Sequence, residues 1–436
     1  MSRRFRTLLF IFFVLVFVIG APCLVLYAQG YRLNLPYESG KKLIVMTGGF
    51  FVKTSPKQAS VYVNGKYYDQ TDFIFGGKLV ENLLPRQYQV EVKKPGYQTW
   101  EKKLEVREKE VTEASYITLF PNKIGFSPVE KEIGSVIISP DRQKVAIKQN
   151  TDIGWNLKLY DLSQNVTSKL ADQNNFAGKN TVFNNWEWTD AKTLGMSVSD
   201  TNATTSYSIA VDKSPARLTK NTTASSTSTE ALATNKGDGA AYYLKRDGYI
   251  YKKGLTGNLE KASEAKIDVA AGTNYRLWVF GDYIFVAAGD ELRLAKSGSP
   301  AFNKIFDGLK GDLKISPDGR KIFYASDSEI WLFYLKDKTT QPIAAAGDKV
   351  FLVRFSEKIS GCEWINPDYL IFISGNAVKT AETDNRDKVN IATLANLGDF
   401  DPGKQSDTAP ELIWNDSQKT AYLFIGGTLY RSQPIQ

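Results

Sequence analysis

The sequence predicts an all-β protein carried on a single N-terminal apolar helix, and three observations support that prediction. A short turn phrase recurs at near-regular spacing through the C-terminal two thirds of the chain. β-branched and aromatic runs of strand length stand between the turns. Ahead of both lies Leu8 to Ala28, 21 residues without a charge.

The helix comes first in the chain. Twenty-one residues at about 1.5 Å per residue suffice to cross a hydrocarbon core of about 30 Å. Arg3, Arg4 and Arg6 precede the apolar run, and a basic flank of this kind stays cytoplasmic, which exports everything after residue 30. A cleaved secretory signal has a shorter apolar region of about 7–15 residues. Here Leu26 stands where a small residue is wanted before Ala28, and Pro22 ahead of Cys23 argues against lipoprotein processing. An uncleaved signal anchor is therefore expected in residues 1–30, followed by a juxtamembrane linker in 31–48.

Residues 49–121 read as a compact unit of half-buried strands. Ser60-Val61-Tyr62-Val63 alternates and then meets Asn64-Gly65, a strong hairpin signal. Tyr88 to Lys93 alternates with Tyr88, Val90 and Val92 on the buried face, and Lys103 to Arg107 and Tyr116 to Leu119 alternate likewise. About seventy residues of this kind make a small β-sandwich.

From 122 to 436 the turn phrase organises the chain. Ile-Ser-Pro-Asp occurs at Ile138 to Asp141 and again at Ile315 to Asp318, with relatives at Trp188-Thr189-Asp190, Asn366-Pro367-Asp368 and Trp414-Asn415-Asp416. Ser139, Thr189, Thr234, Phe280, Ser316, Asn366 and Asn415 mark the turns, at intervals of 50, 45, 46, 36, 50 and 49 residues. Such a period signals a repeat architecture. Pro presets φ and Asp or Gly suits the following positions, so each phrase reverses the chain. Apolar runs such as Val145 to Ile147, Ile322 to Tyr324 and Leu370 to Phe372 follow the turn. A third run comes a short loop later, and a weaker fourth closes the unit, as at Ala216 to Thr219 and Pro342 to Ala344. Four strands per unit and seven units describe a seven-bladed β-propeller. The seventh unit lacks a fourth strand in its own sequence, so Phe126 to Glu132 is expected to complete it and close the ring.

Two resemblances follow from these residues. Phe51 to Pro56, Ala59 to Gly65, Leu84 to Val90 and Lys94-Pro95-Gly96-Tyr97 follow the pattern of a PEGA domain over about 70 residues. The name-giving tetrapeptide stands here as Pro56-Lys57-Gln58-Ala59, and the Pro-Gly before the central strand as Pro85-Arg86. The repeats, Ser316 to Gly319 most clearly, are similar to those of Tol-type periplasmic propellers. The PEGA resemblance implies a binding module of bacterial surface and membrane-anchored proteins, with no catalytic residue.

Composition narrows the chemistry. The chain has no histidine, which excludes Ser/His/Asp and Cys/His nucleophile systems. Cys23 lies in the span and Cys362 on an inner strand, so neither an exported disulfide nor a cysteine zinc cage is available. No phosphate loop is present, and Asp384 and Asp387 do not reach calcium-loop spacing. No cofactor or metal is expected. The net charge of +8 belongs to the tail and to residues 31–121, which carry 14 basic against 10 acidic residues. The propeller is near neutral and offers no basic stripe for nucleic acid.

The turn aspartates Asp141, Asp190, Asp318, Asp368 and Asp416 are expected to accept hydrogen bonds from their own turns. Trp188, Trp364 and Trp414, at matching repeat positions, are expected to pack between blades. Glu187 and Glu363 also match and are expected on strands lining the channel. Tyr67, Tyr68 and Trp100, aromatics outside the repeat frame, join Glu187 and Glu363 as candidate binding residues. Phe73 and Phe75 stand nearby, and some of these aromatics are expected to cap the sandwich. Thr219 to Thr234 reads as a polar low-complexity loop, and Asn165, Asn202 and Asn221 begin Asn-x-Thr triplets.

The expected protein is a non-enzymatic, membrane-tethered extracytoplasmic binding or scaffold protein. It meets the cytoplasmic membrane through Leu8 to Ala28, and an envelope protein or wall polymer through its β domains. A carboxylate-dependent glycan hydrolase or lyase with its site in the channel is the rival reading. A sensor acting through a membrane partner is a third.

Overall fold

The computed structural model describes residues 3–33, 43–152, 154–176, 181–199, 204–213, 216–220, 229–234, 240–254, 257–400 and 409–435. Residues 221–228, the middle of the expected loop at 219–234, and the triplet asparagines Asn202 and Asn221 lie outside them; the two ends of that stretch are not loop, since Thr219 and Lys220 close one strand and Thr229–Thr234 forms another. The apolar run forms α1 (Arg3–Ala28), a helix of 26 residues with Pro22 inside it and no buried residue. It is the one helix among the described residues long and apolar enough to cross a membrane.

The chain then forms a ribbon of β1 (Tyr31–Leu33) and β2 (Ile44–Met46), closed by the Thr47 N–H on the Gly30 carbonyl at 2.8 Å. Seven strands follow: β3 (Gly48–Ser55), β4 (Ser60–Val63), β5 (Lys66–Gln70), β6 (Gly77–Leu83), β7 (Gln87–Lys93), β8 (Trp100–Glu105) and β9 (Val111–Thr118). They make two sheets, β6-β3-β9 and β5-β4-β7-β8. Phe50, Val52 and Val80 of one sheet pack against Val61, Val90, Val92 and Leu104 of the other. Asn64 and Gly65 take positive φ of 47° and 76°, the left-handed pair that a two-residue hairpin between β4 and β5 requires.

Beyond the sandwich the chain is a β-propeller. Seven four-stranded antiparallel sheets lie outside the sandwich among the described residues. Six are consecutive in the chain, beginning at Ile133, Val182, Thr229, Tyr275, Lys310 and Ile359. The seventh combines three C-terminal strands from Glu411 to Ser432 with β10 (Phe126–Glu130), which pairs with Thr428–Ser432. The ends of the propeller sequence are thus joined in one sheet, as the missing strand predicts.

One strand differs from expectation. The fifth sheet closes with Lys349–Arg354, not with Pro342 to Ala344. Proline has no N–H to donate to a ladder, and residues 342–344 form a loop carrying a single bridge, Lys338 to Ala344.

Buried apolar clusters join the first sheet to the second, the third to the fourth, and each later neighbour in turn round to the seventh and first. Between the second and third sheets no such cluster occurs among the described residues. In strand Thr193–Ser199, Leu194, Met196 and Val198 face the first sheet and Gly195 and Ser197 fall on the other side. By contrast Lys321–Ala325 and Tyr369–Ser374 are buried at every position.

Candidate functional site

Three places concentrate unusual side chains: the joint between sandwich and propeller, the opposite edge of the sandwich, and the propeller axis. In the sandwich β8 and β9 are edge strands on one side, β5 and β6 on the other. An edge exposes a row of backbone donors and acceptors, and covering it is one way to prevent unwanted pairing.

At the joint, propeller side chains cover the β8 and β9 edges. The Glu101 N–H donates to Asn390 Oδ1 at 3.1 Å, and the Lys103 N–H to Asp387 Oδ2 at 2.9 Å. On β9 the Gln341 carboxamide accepts from the Glu113 N–H at 3.0 Å and donates to the Val111 carbonyl at 3.2 Å. Arg386 donates to the Glu113 carbonyl at 2.7 Å, and the Thr118 N–H donates to the Tyr369 hydroxyl at 3.0 Å.

Beneath this fringe lies a buried ionic cluster. Lys102, on β8, has a fully buried side chain and sits 2.7 Å from Glu382 Oε1, with Asp384 Oδ1 at 3.6 Å. Its ammonium also donates to the Asp384 carbonyl at 2.7 Å. The other Glu382 oxygen accepts from the Trp100 indole at 2.8 Å. Burial pushes the Glu382 carboxyl above its usual range, against the opposing pull of Lys102, Trp100 and Asn390. Burial acts the same way on Asp384, but the Arg386 guanidinium and Lys102 outweigh it and hold that carboxyl below its usual range. Trp100 therefore belongs to this internal contact. It is 3 % exposed, and its indole serves the propeller, not an outside ligand.

The opposite edge is open. Tyr67 and Tyr68 on β5 are 55 % and 44 % exposed, and Phe73, Ile74 and Phe75, in the loop to β6, are 72 %, 53 % and 71 % exposed. The loop has a defined shape. Asp72 accepts from the backbone N–H groups of Ile74 at 2.8 Å, Phe75 at 2.5 Å and Gly77 at 2.6 Å, and the Phe75 bond foremost holds its carboxyl below the usual range. Lys57 donates to the Ile74 carbonyl from the far side. Three large apolar side chains are thus held outward by a fixed backbone.

At the propeller axis the strands converge on a cavity of about 660 Å³. Glu363 lies in its wall, 4 % exposed, between Lys314 Nζ at 2.6 Å and the Arg142 guanidinium. Lys314 also donates to the Cys362 carbonyl at 2.7 Å. Burial, and then the Arg142 charge, push the Lys314 ammonium down to about 7. Burial pushes the Cys362 thiol up to about 12. Glu187 is exposed and does not line the cavity, so the structure does not bring the two matched glutamates together there. Both Glu363 oxygens are engaged by cations.

The other sequence candidates divide. The Trp188 and Trp364 indoles donate to Ile137 and Lys314 carbonyls of the preceding sheet, at 3.3 and 2.8 Å, which is the expected inter-blade role. The Trp414 indole N–H has no acceptor among the described residues. Asp141, Asp190 and Asp318 accept from their own turns. Asp368 and Asp416 do not match that expectation. Asn366 and Asn415 take the turn-accepting role in those sheets, so Asp368 turns to Lys321 at 3.8 Å and Asp416 to Lys419 at 2.6 Å.

Sequence reasoning missed Lys102, Glu382, Arg386 and Arg142. For Lys102 a signal existed: Trp100-x-Lys102-x-Leu104 places a lysine in the apolar register of a strand, where it needs a buried partner.

Residues 47–123 match the PEGA domain family. Among solved structures the chain is similar to YCF48 from Cyanidioschyzon merolae, at 11% identity and TM-score 0.40, over 71% of this chain and 98% of that one. It is also similar to the β-propeller domain of Myceliophteria thermophila Cps50 (Swd1), at 9% identity and TM-score 0.40, over 72% of this chain and 100% of that one. No curated protein sequence matches the chain.

Proposed function

We propose that this chain is a non-enzymatic, membrane-tethered extracytoplasmic scaffold that docks a protein partner on the open edge of its PEGA-like sandwich. In this reading α1 is an uncleaved anchor with its N-terminus in the cytoplasm, in a bacterial envelope. Each propeller sheet is one blade of a closed seven-bladed ring similar to Tol-type propellers. The ring, fastened to the β8/β9 edge, fixes the orientation in which the β5/β6 edge is presented. The carrying observation is the display of Tyr67, Tyr68, Phe73, Ile74 and Phe75 on a backbone held by Asp72. Large aromatic anchors on a preorganised surface are what protein interfaces use at their centres. The hydrolase alternative draws no support from Glu187 and Glu363, since Glu187 lies outside the cavity and Glu363 is clamped between two cations.

The test is co-purification after crosslinking in intact cells, comparing the unmodified chain with a Phe73→Ser, Phe75→Ser double variant. Both positions are exposed, so the variant should fold with a stability change within about 1 kcal/mol. Recovery of the specific partner should fall at least roughly tenfold, as for loss of a central anchor. Undiminished recovery of the same partner would contradict the proposal.

A further inference from the structure

The axial cavity places two cations side by side in its wall. Arg142 and Lys314 share one carboxylate, Glu363. A guanidinium has five N–H donors, and those of Arg142 beyond its Glu363 contact meet no acceptor among the described residues. Three more acids line the cavity, and the charge of one, Asp312, also bears on Arg142 and Lys314. Asp141 accepts from Ser139 and from the Gln143 N–H, Asp416 pairs with Lys419, and Asp312 faces Arg276 at 3.8 Å.

Arg142 is also held in an unusual conformation. It occupies the fourth position of Ser139-Pro140-Asp141-Arg142, and the matching turn of the fifth sheet has Gly319 there. Gly319 takes φ 66°, and Arg142 takes φ 58° in the same left-handed region. A side chain in that region costs about 1–2 kcal/mol that glycine avoids, so the turn alone does not call for an arginine. Strain of this kind concentrates at ligand-binding positions. Trp278, Trp364 and Trp414 are among the residues that line the cavity. A concave, aromatic-lined space of some hundreds of Å³ with a few convergent charges is the usual form of a small-molecule site.

We propose that the axial cavity binds a small ring-bearing anion, a sugar carrying a carboxylate or a phosphate, held by Arg142 and Lys314 beside the tryptophans that line it. The planar guanidinium suits either anionic group, and the ammonium adds a point charge. The Lys314 proton is the sensitive part of this site. The groups facing it are Glu363, Arg142, Cys362 and Asp312, and its ammonium is pushed down to about 7 by burial and by Arg142. An anion binds the protonated form better, so affinity should fall as pH rises through about 7.

The experiment is calorimetric titration of the detergent-solubilised full chain with glucuronate, with glucose 1-phosphate and with uncharged glucose. Saturable binding of either anion, with none for glucose, is expected, and whichever anion binds identifies the group recognised. Binding of glucuronate, whose carboxylate stays ionised throughout, should weaken between pH 6 and pH 8. Arg142→Gly restores the residue that the matching turn uses and should fold well while losing roughly tenfold or more in affinity. Arg142→Lys keeps the charge without the fork and should also lose affinity, which preserves the test if the glycine variant unfolds. Absence of saturable anion binding, equal binding of glucose, or unchanged affinity in these variants would overturn the proposal. None of these outcomes depends on the protein-docking edge, which lies in the other domain.

Discussion

A chain beginning at Gly134 should unfold more easily than one beginning at Asn122, with a midpoint lower by roughly 5–8 °C, a shift that corresponds to a loss of about 3–5 kcal/mol for a domain of this size. The difference between the two is β10 and the residues around it. β10 supplies the fourth strand of the sheet that joins the two ends of the propeller. Phe126 packs edge-on against Phe400 with ring centroids 4.9 Å apart, and Val129 reaches the cluster between the seventh and first sheets. Glu130 also binds the first sheet, accepting from Thr167 at 2.8 Å and pairing with Lys158 at 3.2 Å. Losing the strand removes these contacts and exposes the backbone of Thr428–Ser432 as a new edge. Thermal unfolding followed by circular dichroism measures both proteins. Equal midpoints would mean that the ring does not depend on this closure.

Lys102→Ala should destabilise the full chain by about 3–5 kcal/mol, because it leaves the Glu382 carboxylate buried without its counter-charge. Denaturant unfolding monitored by tryptophan fluorescence reads the loss. The pH dependence has a definite sign. The folded Glu382 carboxyl lies above its ordinary value, so the folded state holds that proton more tightly than the unfolded chain does. The deficit should therefore shrink as pH is lowered through the carboxylate range and protonation removes the unpaired charge. Lys102→Met combined with Glu382→Gln should recover most of the stability, since replacing both partners of a buried pair is often nearly neutral. A Lys102→Ala protein as stable as the unmodified chain would show that the buried pair does not hold the two domains together.

The parts of this fold that rest on local chemistry could be read from the sequence. The Ser139 and Ser316 turns, the Asn64-Gly65 hairpin and the strand borrowed from Phe126 onward each follow from turn residues and alternation within a short window. The joint could not be read this way. Lys102 meets Glu382 and Asp384 from some 280 residues away, and on a strand a charged residue reads as solvated unless its register is fixed. The reading of Lys103 to Arg107 as the strand put that register out of view. The strand instead runs from Trp100 to Glu105, which turns Trp100, Lys102 and Leu104 inward together. Arg142 was hidden for a related reason, since its turn matches the repeat and only the comparison with Gly319 shows it to be out of place. Tyr67, Tyr68, Phe73 and Phe75 stood out as aromatics beyond the repeat frame. That they lie on the edge away from the propeller depends on strand order in two sheets, which alternation alone does not give.

The proposed docking role requires one edge of the sandwich to be covered and the other to be free. Amide hydrogen exchange on the full chain in detergent, resolved to single residues, measures this directly. The Glu101, Lys103 and Glu113 amides, bonded to Asn390, Asp387 and Gln341, should be protected to nearly the extent of the core strands. Outward-facing amides of β5 and β6 should exchange orders of magnitude faster. Equal exchange along both edges, or rapid exchange at Glu101, Lys103 and Glu113, would contradict a sandwich locked to the propeller on one side and open for docking on the other.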